Sequence, residues 1–238
     1  MRVALCGADT AVDELSQIVG EKCVDRSDAD LLVTVGEQAL ADCAARSESR
    51  PILPVDIRSP LSPPREKLAE MLARLPAQPP TVDVRPLSVT AGGQTSTAVF
   101  DTTLVTTEPA RISEYAISVG NRRHAECRAD GVVVATPLGS SGYSRAAGGP
   151  QLEPGTGVAV VPIAPFATHT DTWVVEPPLS VRVERDDSVT VFADSTRLAV
   201  GETPLTAEIS AAPPLSVVET RHGRRSNWKN SNESSPHL

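Results

Sequence analysis

Asp130 to Pro150 reads DGVVVATPLGSSGYSRAAGGP, and the rest of the chain is understood from it. Val132 to Ala135 is a short β-branched and apolar run, the signature of a buried strand. It breaks at Thr136-Pro137, passes through Gly139-Ser140-Ser141-Gly142, carries Tyr143 and closes on Gly148-Gly149-Pro150. A buried strand ending in a Gly/Ser turn leaves backbone N–H groups and hydroxyls free to hold phosphate or ribose oxygens. Tyr143, one residue past that turn, is placed to lay its ring against a base. The plain alternative is a strand followed by two Gly-rich turns with no ligand, since such turns are common.

Outward from this stretch the chain changes character once. Before residue 80, apolar strands alternate with helical patterns. Val3 to Cys6 is a strand ending at Gly7, and Asp9 or Thr10 caps a helix to about Glu21 with Val12, Leu15, Ile18 and Val19 inward. Leu31 to Val35 is a second strand, ended by Gly36 and followed by a helix from Gln38 to Ala45. Ile52 to Ile57 is a third strand, and Pro64 to Leu75 an amphipathic helix. Strand alternating with helix predicts a small parallel sheet.

Pro76-Ala77-Gln78-Pro79-Pro80 reads as a linker. Beyond it, short strands are expected at 82–89, 97–106, 115–119, 132–136, 158–162, 181–185, 189–193 and 214–219, punctuated by Pro and Gly, which predicts a β-rich sandwich. The fold class is therefore α/β plus β: an N-terminal α/β domain over 1–80 and a C-terminal β-rich, sandwich-like domain over 81–220. Residues 221–238, rich in Arg, Asn and Ser with an isolated Trp228, read as a disordered tail.

The formal net charge of −8 excludes a general nucleic-acid binder, which needs a basic face. Cys6, Cys23, Cys43 and Cys127 are widely spaced with no CxxC pair, so zinc is not expected and reduced thiols of a cytoplasmic protein are. No apolar stretch approaches a membrane span, and Met1-Arg2 leads directly into a strand rather than a signal peptide.

Asp130-Gly131 followed by TPLGSSGYS and AAGGP resembles the NAD kinase family signature, usually written DG…TPTGSTAYSLSAGGP. Leu138, Ser141, Gly142 and Arg145 depart from it, and Ala146 stands at a usual Ser. The family carries GGDGT after an early strand, its glycines approaching the ATP phosphates and its Asp taken as the base. Here the aligned residues are Val35-Gly36-Glu37-Gln38-Ala39, so the resemblance implies Gly36 at the phosphates and Glu37 as the catalytic carboxylate. Gln38 stands where Gly is usual and threatens the cradle.

The family's ALNEVVI segment is matched to Arg111–Ile117, which implies Ser113 and Glu114 as dinucleotide contacts. The signature stretch implies Asp130, Thr136, Gly139, Ser140, Ser141, Gly142 and Tyr143. Val161 to Phe166 resembles TPICPH and implies Ala164 near the nicotinamide end. Asp194-Ser195 resembles a late DGQ segment, and Asp194 is expected to shape a hairpin rather than touch substrate. His124, His169, His222 and His237 match no family site and are expected at the surface.

The resemblance implies transfer of the ATP γ-phosphoryl group to the adenosine 2′-hydroxyl of NAD, with Mg2+ or another divalent cation accompanying ATP. It assigns no side chain as a metal ligand. It also implies a homo-oligomer, dimer or tetramer, in the cytoplasm, with no nucleic-acid or membrane partner. The alternative is a catalytically inactive NAD(P)-binding pseudokinase or sensor, because the departures concentrate at residues 35–39. A lipid or sugar kinase relative is a third reading, disfavoured because diacylglycerol kinases lack the TP…AYS…AGGP signature.

Overall fold

The computed structural model describes residues 1–107, 112–167, 171–185, 188–202 and 204–220. In the first part β1 (Val3–Cys6), α1 (Asp9–Val19), β2 (Leu31–Val35), α2 (Glu37–Ala45), β3 (Ile52–Val55) and α3 (Leu68–Arg74) follow the expected alternation. The strands β1, β2 and β3 pair in parallel because helices connect them. All of Leu31 to Val35 is buried, as a central strand covered on both faces must be.

The remaining elements are β4 (Thr81–Val84), β5 (Leu87–Ala91), β6 (Gln94–Ala98), β7 (Asp101–Thr106), β8 (Ser113–Val119), β9 (Arg122–Ala129), β10 (Gly131–Ala135), α4 (Tyr143–Ala146) and β11 (Val158–Ile163). After them come β12 (Trp173–Val175), β13 (Leu179–Arg185), β14 (Val189–Ala193), β15 (Thr196–Gly201), β16 (Leu205–Ala211) and β17 (Leu215–Val218). Two six-stranded sheets result, β12-β11-β10-β7-β14-β15 and β6-β5-β16-β13-β8-β9. Their inner faces enclose one core containing Val89, Leu104, Tyr115, Ile117, Val132, Val134, Val181 and Val191. This is the expected sandwich.

The first sheet is larger than the sequence suggests. Its order is β1-β2-β3-β17-β4, so Thr81–Val84 and Leu215–Val218 both join it. β4 pairs antiparallel with β17, while β5 pairs antiparallel with β16. One two-stranded ribbon thus runs from the first sheet into the sandwich. It changes sheets where Pro86 on one strand, and Pro213-Pro214 on the other, withdraw backbone donors. The change of sheet lies after Val84, not at residue 80, and the strand expected over 82–89 is two strands for this reason.

A shared core closes the joint. Val99, Phe100 and Leu138 from the sandwich side pack in one cluster with Leu32, Leu40, Cys43, Ile52, Leu215 and Val217. Among the described residues no helix is long and apolar enough to cross a membrane. The expected tail, 221–238, lies outside the described residues.

Candidate active site: a cleft between helix α2 and the sandwich

The turn after β10 is anchored before it is exposed. Ala135 pairs with Asp101 at the end of the sheet. The Thr136 amide then donates to the Phe100 carbonyl at 2.8 Å, and its hydroxyl donates to the Val99 carbonyl at 2.6 Å. A Cβ on Gly139 would fall inside the Phe100 carbonyl oxygen, so only glycine lets the turn pass this closely. Ser140 donates to the Pro137 carbonyl at 2.8 Å and accepts the Leu152 amide at 2.9 Å. Thr136 and Ser140, expected to touch a ligand, therefore spend their hydroxyls inside the protein. The Ser141 and Ser144 hydroxyl oxygens are enclosed with no hydrogen-bond partner among the described residues.

The chain entering β7, to which this turn is anchored, is itself fastened by Asp194. Its carboxylate accepts the amides of Val99 at 2.8 Å, Phe100 at 2.7 Å and Asp101 at 3.1 Å. Asp194 itself sits at φ +51° in the tight turn between β14 and β15, the hairpin role expected of it.

Across from the turn lies the N-terminus of α2. Gly36 takes φ +84°, which favours glycine, and its amide donates to the Val55 carbonyl at 2.9 Å. That N–H is therefore already paired within the protein. Glu37 opens the helix and is exposed. Gln38 donates to Asp42 at 3.0 Å, lying along the helix and leaving the space in front of Glu37 open.

Between these walls is a cleft of about 880 Å3. Glu37, Asp56, Arg58, Asp101, Asp194 and Tyr143 supply its polar lining, with Gly139 and Gly142 at the turn. Tyr143 is 47 % exposed, so its ring is free to stack. Burial, the neighbouring Asp194 carboxylate and Glu37 together push the Asp101 carboxyl up to about 6. Burial also raises Asp194, against the three amides that favour its charge. Asp56 is held by Arg65, whose guanidinium also reaches Glu14 at 2.6 Å.

Of the residues singled out in the sequence, Glu37, Gly139, Gly142 and Tyr143 meet at this cleft. Others do not. Ser113 and Glu114 lie on β8, in the other sheet of the sandwich; Ser113 is buried, and Glu114 pairs with Arg128 at 3.6 Å and Arg185 at 3.4 Å. Glu114 borders a separate hollow of about 410 Å3 with Phe166 and Trp173. Ser113 and Glu114 therefore lie away from this cleft, and Arg111 lies outside the described residues.

Asp130 and Ala164 sit beyond the far end of β10, about 16 Å of strand from Ala135. The Asp130 amide donates to the Ile163 carbonyl at 3.0 Å, and Ala164 takes φ +44°. Arg145, which departs from the family pattern, donates to the Gly149 carbonyl at 3.1 Å. His124 is exposed and stacks edge-on to Trp173 at 6.4 Å, while His169, His222 and His237 lie outside the described residues. Asp101, Asp56 and Arg58 were not legible as site residues. Asp101 begins an ordinary strand, and only the pairing with Ala135 reveals that it faces the turn.

Residues 101–211 match the family described as the ATP-NAD kinase C-terminal domain. The match begins at Asp101 and includes the sandwich-side wall of the cleft from β7 to Thr196, but not Ser96, Thr97 and Phe100. The NAD kinase of Methanosarcina acetivorans is 36 % identical over 97 residues, 40 % of this chain and 35 % of that protein. The NAD kinase of Methanospirillum hungatei is 30 % identical over 125 residues, 51 % and 46 % of the two chains. The chain thus spans about a third to a half of the length of these curated relatives. The solved NAD kinase of Archaeoglobus fulgidus in complex with ATP superposes with a TM-score of 0.72 at 21 % identity, over 92 % of this chain and 93 % of that one. Yeast NADH kinase complexed with NADH superposes with a TM-score of 0.70 at 18 % identity, over 91 % and 74 %. The fold is therefore that of the NAD kinases, and the resemblance drawn from Thr136–Pro150 is borne out.

Proposed function

We propose that the chain is an NAD kinase that transfers the γ-phosphoryl group of ATP to the adenosine 2′-hydroxyl of NAD. One observation carries the reading: the Gly139–Tyr143 turn and Glu37 face each other across an open cleft, although they are about a hundred residues apart in sequence. The relatives' names and the ATP- and NADH-bound structures support it.

In this reading the 2′-hydroxyl oxygen attacks the γ-phosphorus, the bond from that phosphorus to the β-phosphate oxygen breaks, and ADP leaves. The Glu37 carboxylate takes the hydroxyl proton. No covalent enzyme intermediate is needed, because phosphoryl transfer depends on positioning and charge stabilisation. Gly139 and Gly142 shape the turn that meets the dinucleotide, and Tyr143 stacks on its base. Arg58, the one cation among the cleft-lining residues, meets the phosphates. The N-terminal α/β part supplies the donor side, and the β-rich sandwich the NAD side.

No three His, Cys, Asp or Glu side chains among the described residues converge as a metal-binding group. Mg2+ fits this site as an ion carried in by ATP, since it is commonly held by one or two carboxylates plus phosphates. The exposed carboxylates of the cleft include Glu37 and Asp56, and the ion when bound would neutralise phosphate charge. Asp130 and Ala164 serve the nicotinamide half, with Ser141 as a supporting hydroxyl of the turn. The reading also carries a cytoplasmic location and a homo-oligomer.

Purified protein incubated with NAD, ATP and Mg2+ should form NADP. Saturable NAD binding without NADP formation would instead identify a pseudokinase.

A further inference from the structure

Behind the cleft, on the inward side of α2, two thiols meet one guanidinium. Arg26 Nη1 lies 3.8 Å from Cys6 Sγ, and its Nη2 lies 3.6 Å from Cys43 Sγ and 2.9 Å from Glu48. The two side chains also share one packed cluster, Cys43 within it and Cys6 against it. The sulfurs are therefore neighbours, although 37 positions separate them and no CxxC motif announces them. Cys6 is half-buried at the end of β1, whereas Cys43 is fully buried on α2.

We propose that Cys6 and Cys43 are a peroxide-reactive dithiol, with Cys6 attacking and Cys43 resolving, whose disulfide fastens β1 to α2. The more exposed sulfur is the one that hydroperoxide reaches, and the buried sulfur is shielded until Cys6 has reacted. An accessible thiolate beside a resolving cysteine is the arrangement of redox-sensing cysteines.

The Cys6 thiolate forms an S–O bond with one peroxide oxygen as the O–O bond breaks, and the departing hydroxide takes a proton to become water. The Cys43 sulfur then attacks the Cys6 sulfenic acid. An S–S bond forms, the S–O bond breaks, and a second water leaves with the Cys43 proton. Two thiols are oxidised and one hydrogen peroxide is reduced to two waters. Closing the bond draws the sulfurs together to about 2.05 Å and fixes the helix that carries Glu37.

The surrounding charges favour attack by Cys6. The neighbouring Cys43 thiol, helped by Arg26 and Arg50 and opposed by burial and Glu48, brings the Cys6 thiol down to about 6. Glu48 holds both guanidiniums in place, at 2.9 Å from Arg26 and 2.8 Å from Arg50. Cys127 is the internal control, its thiol pushed up to about 11 by burial.

The test uses the full chain at about pH 6, treated with hydrogen peroxide and analysed by peptide mass spectrometry, with dimedone present for sulfenic acid. A Cys6–Cys43 disulfide is expected in the wild type, and dimedone-labelled Cys6 in Cys43→Ser. Iodoacetamide should modify reduced Cys6 about tenfold faster than a free thiol of ordinary pKa at this pH, the gain in thiolate exceeding the loss in nucleophilicity. Arg26→Gln should move the midpoint of that reaction to higher pH. Modification of wild-type Cys6 no faster than Cys127, or peroxide oxidation that leaves Cys6 and Cys43 unlinked, would overturn the proposal without bearing on the kinase reading.

Discussion

The Asp194 carboxylate accepts the Phe100 amide at 2.7 Å, and through that bond a late hairpin sets the strand on which the candidate site is built. The same side chain holds the amides of Val99 and Asp101. Removing it leaves buried donors unpaired, each at a cost of about 1–3 kcal/mol. Asp194→Ala should therefore lose about 3–5 kcal/mol in urea unfolding, part of it from the positive φ that Ala tolerates poorly. Asp194→Asn keeps an acceptor and tolerates that φ, so it should lose clearly less. Equal losses would remove the clamp from the explanation.

Leu138 stands where the family signature has Thr, yet it is 1 % exposed and belongs to the core between the two parts. Restoring the family residue should harm this chain. Leu138→Thr exchanges buried methyl groups for a hydroxyl in an apolar cluster, which predicts a loss of about 2–4 kcal/mol. A neutral or stabilising result in thermal unfolding would mean that the cluster packs differently.

Asp101 supplies a pH signature. Its carboxyl is raised from 3.8 to about 6 in the folded protein, so the folded state binds the proton more tightly. The stabilisation is present below about pH 4 and is lost as pH rises through about 6, to the extent of ~3 kcal/mol at most. Asp101→Asn cannot lose a proton. Its stability relative to wild type should rise between about pH 4 and pH 7 in paired urea titrations. Parallel curves for the two proteins would contradict the assignment.

Much of the first part was legible, because Leu31–Val35 and the helix after it obey the two simple periodicities of buried strand and amphipathic helix. The boundary was less so. Thr81–Val84 and Leu215–Val218 meet across more than a hundred residues, and no local pattern predicts such a pairing. β9 was missed because RRHAECRA is charged; its side chains point largely to solvent from the edge of a sheet. The turn at Gly139–Tyr143 could be read from its glycines and the family resemblance. Asp101 and the Cys6–Cys43 pair could not, since each acquires its chemistry only from a partner brought by the fold. That Glu114 lies away from the cleft was not legible either, because a lone Glu before a strand carries no record of which sheet the strand enters.

Arg58 gives the donor side a kinetic test. It is the cation among the cleft-lining residues and is exposed, so its removal should weaken phosphate binding more than folding. Arg58→Ala is expected to raise KM for ATP by about tenfold, as loss of a charge-assisted contact of about 1.5 kcal/mol would do. KM for NAD should change much less. An equal effect on both substrates would place Arg58 elsewhere in the site.

Glu37 is the residue on which the account depends most directly. NADP formation by wild type and Glu37→Gln should be measured with NAD, ATP and Mg2+, alongside NAD affinity for each protein. The account predicts that the variant binds NAD within a few-fold of wild type while kcat falls by about 10^2–10^4, the usual contribution of a positioned base. Undiminished turnover in Glu37→Gln would contradict it.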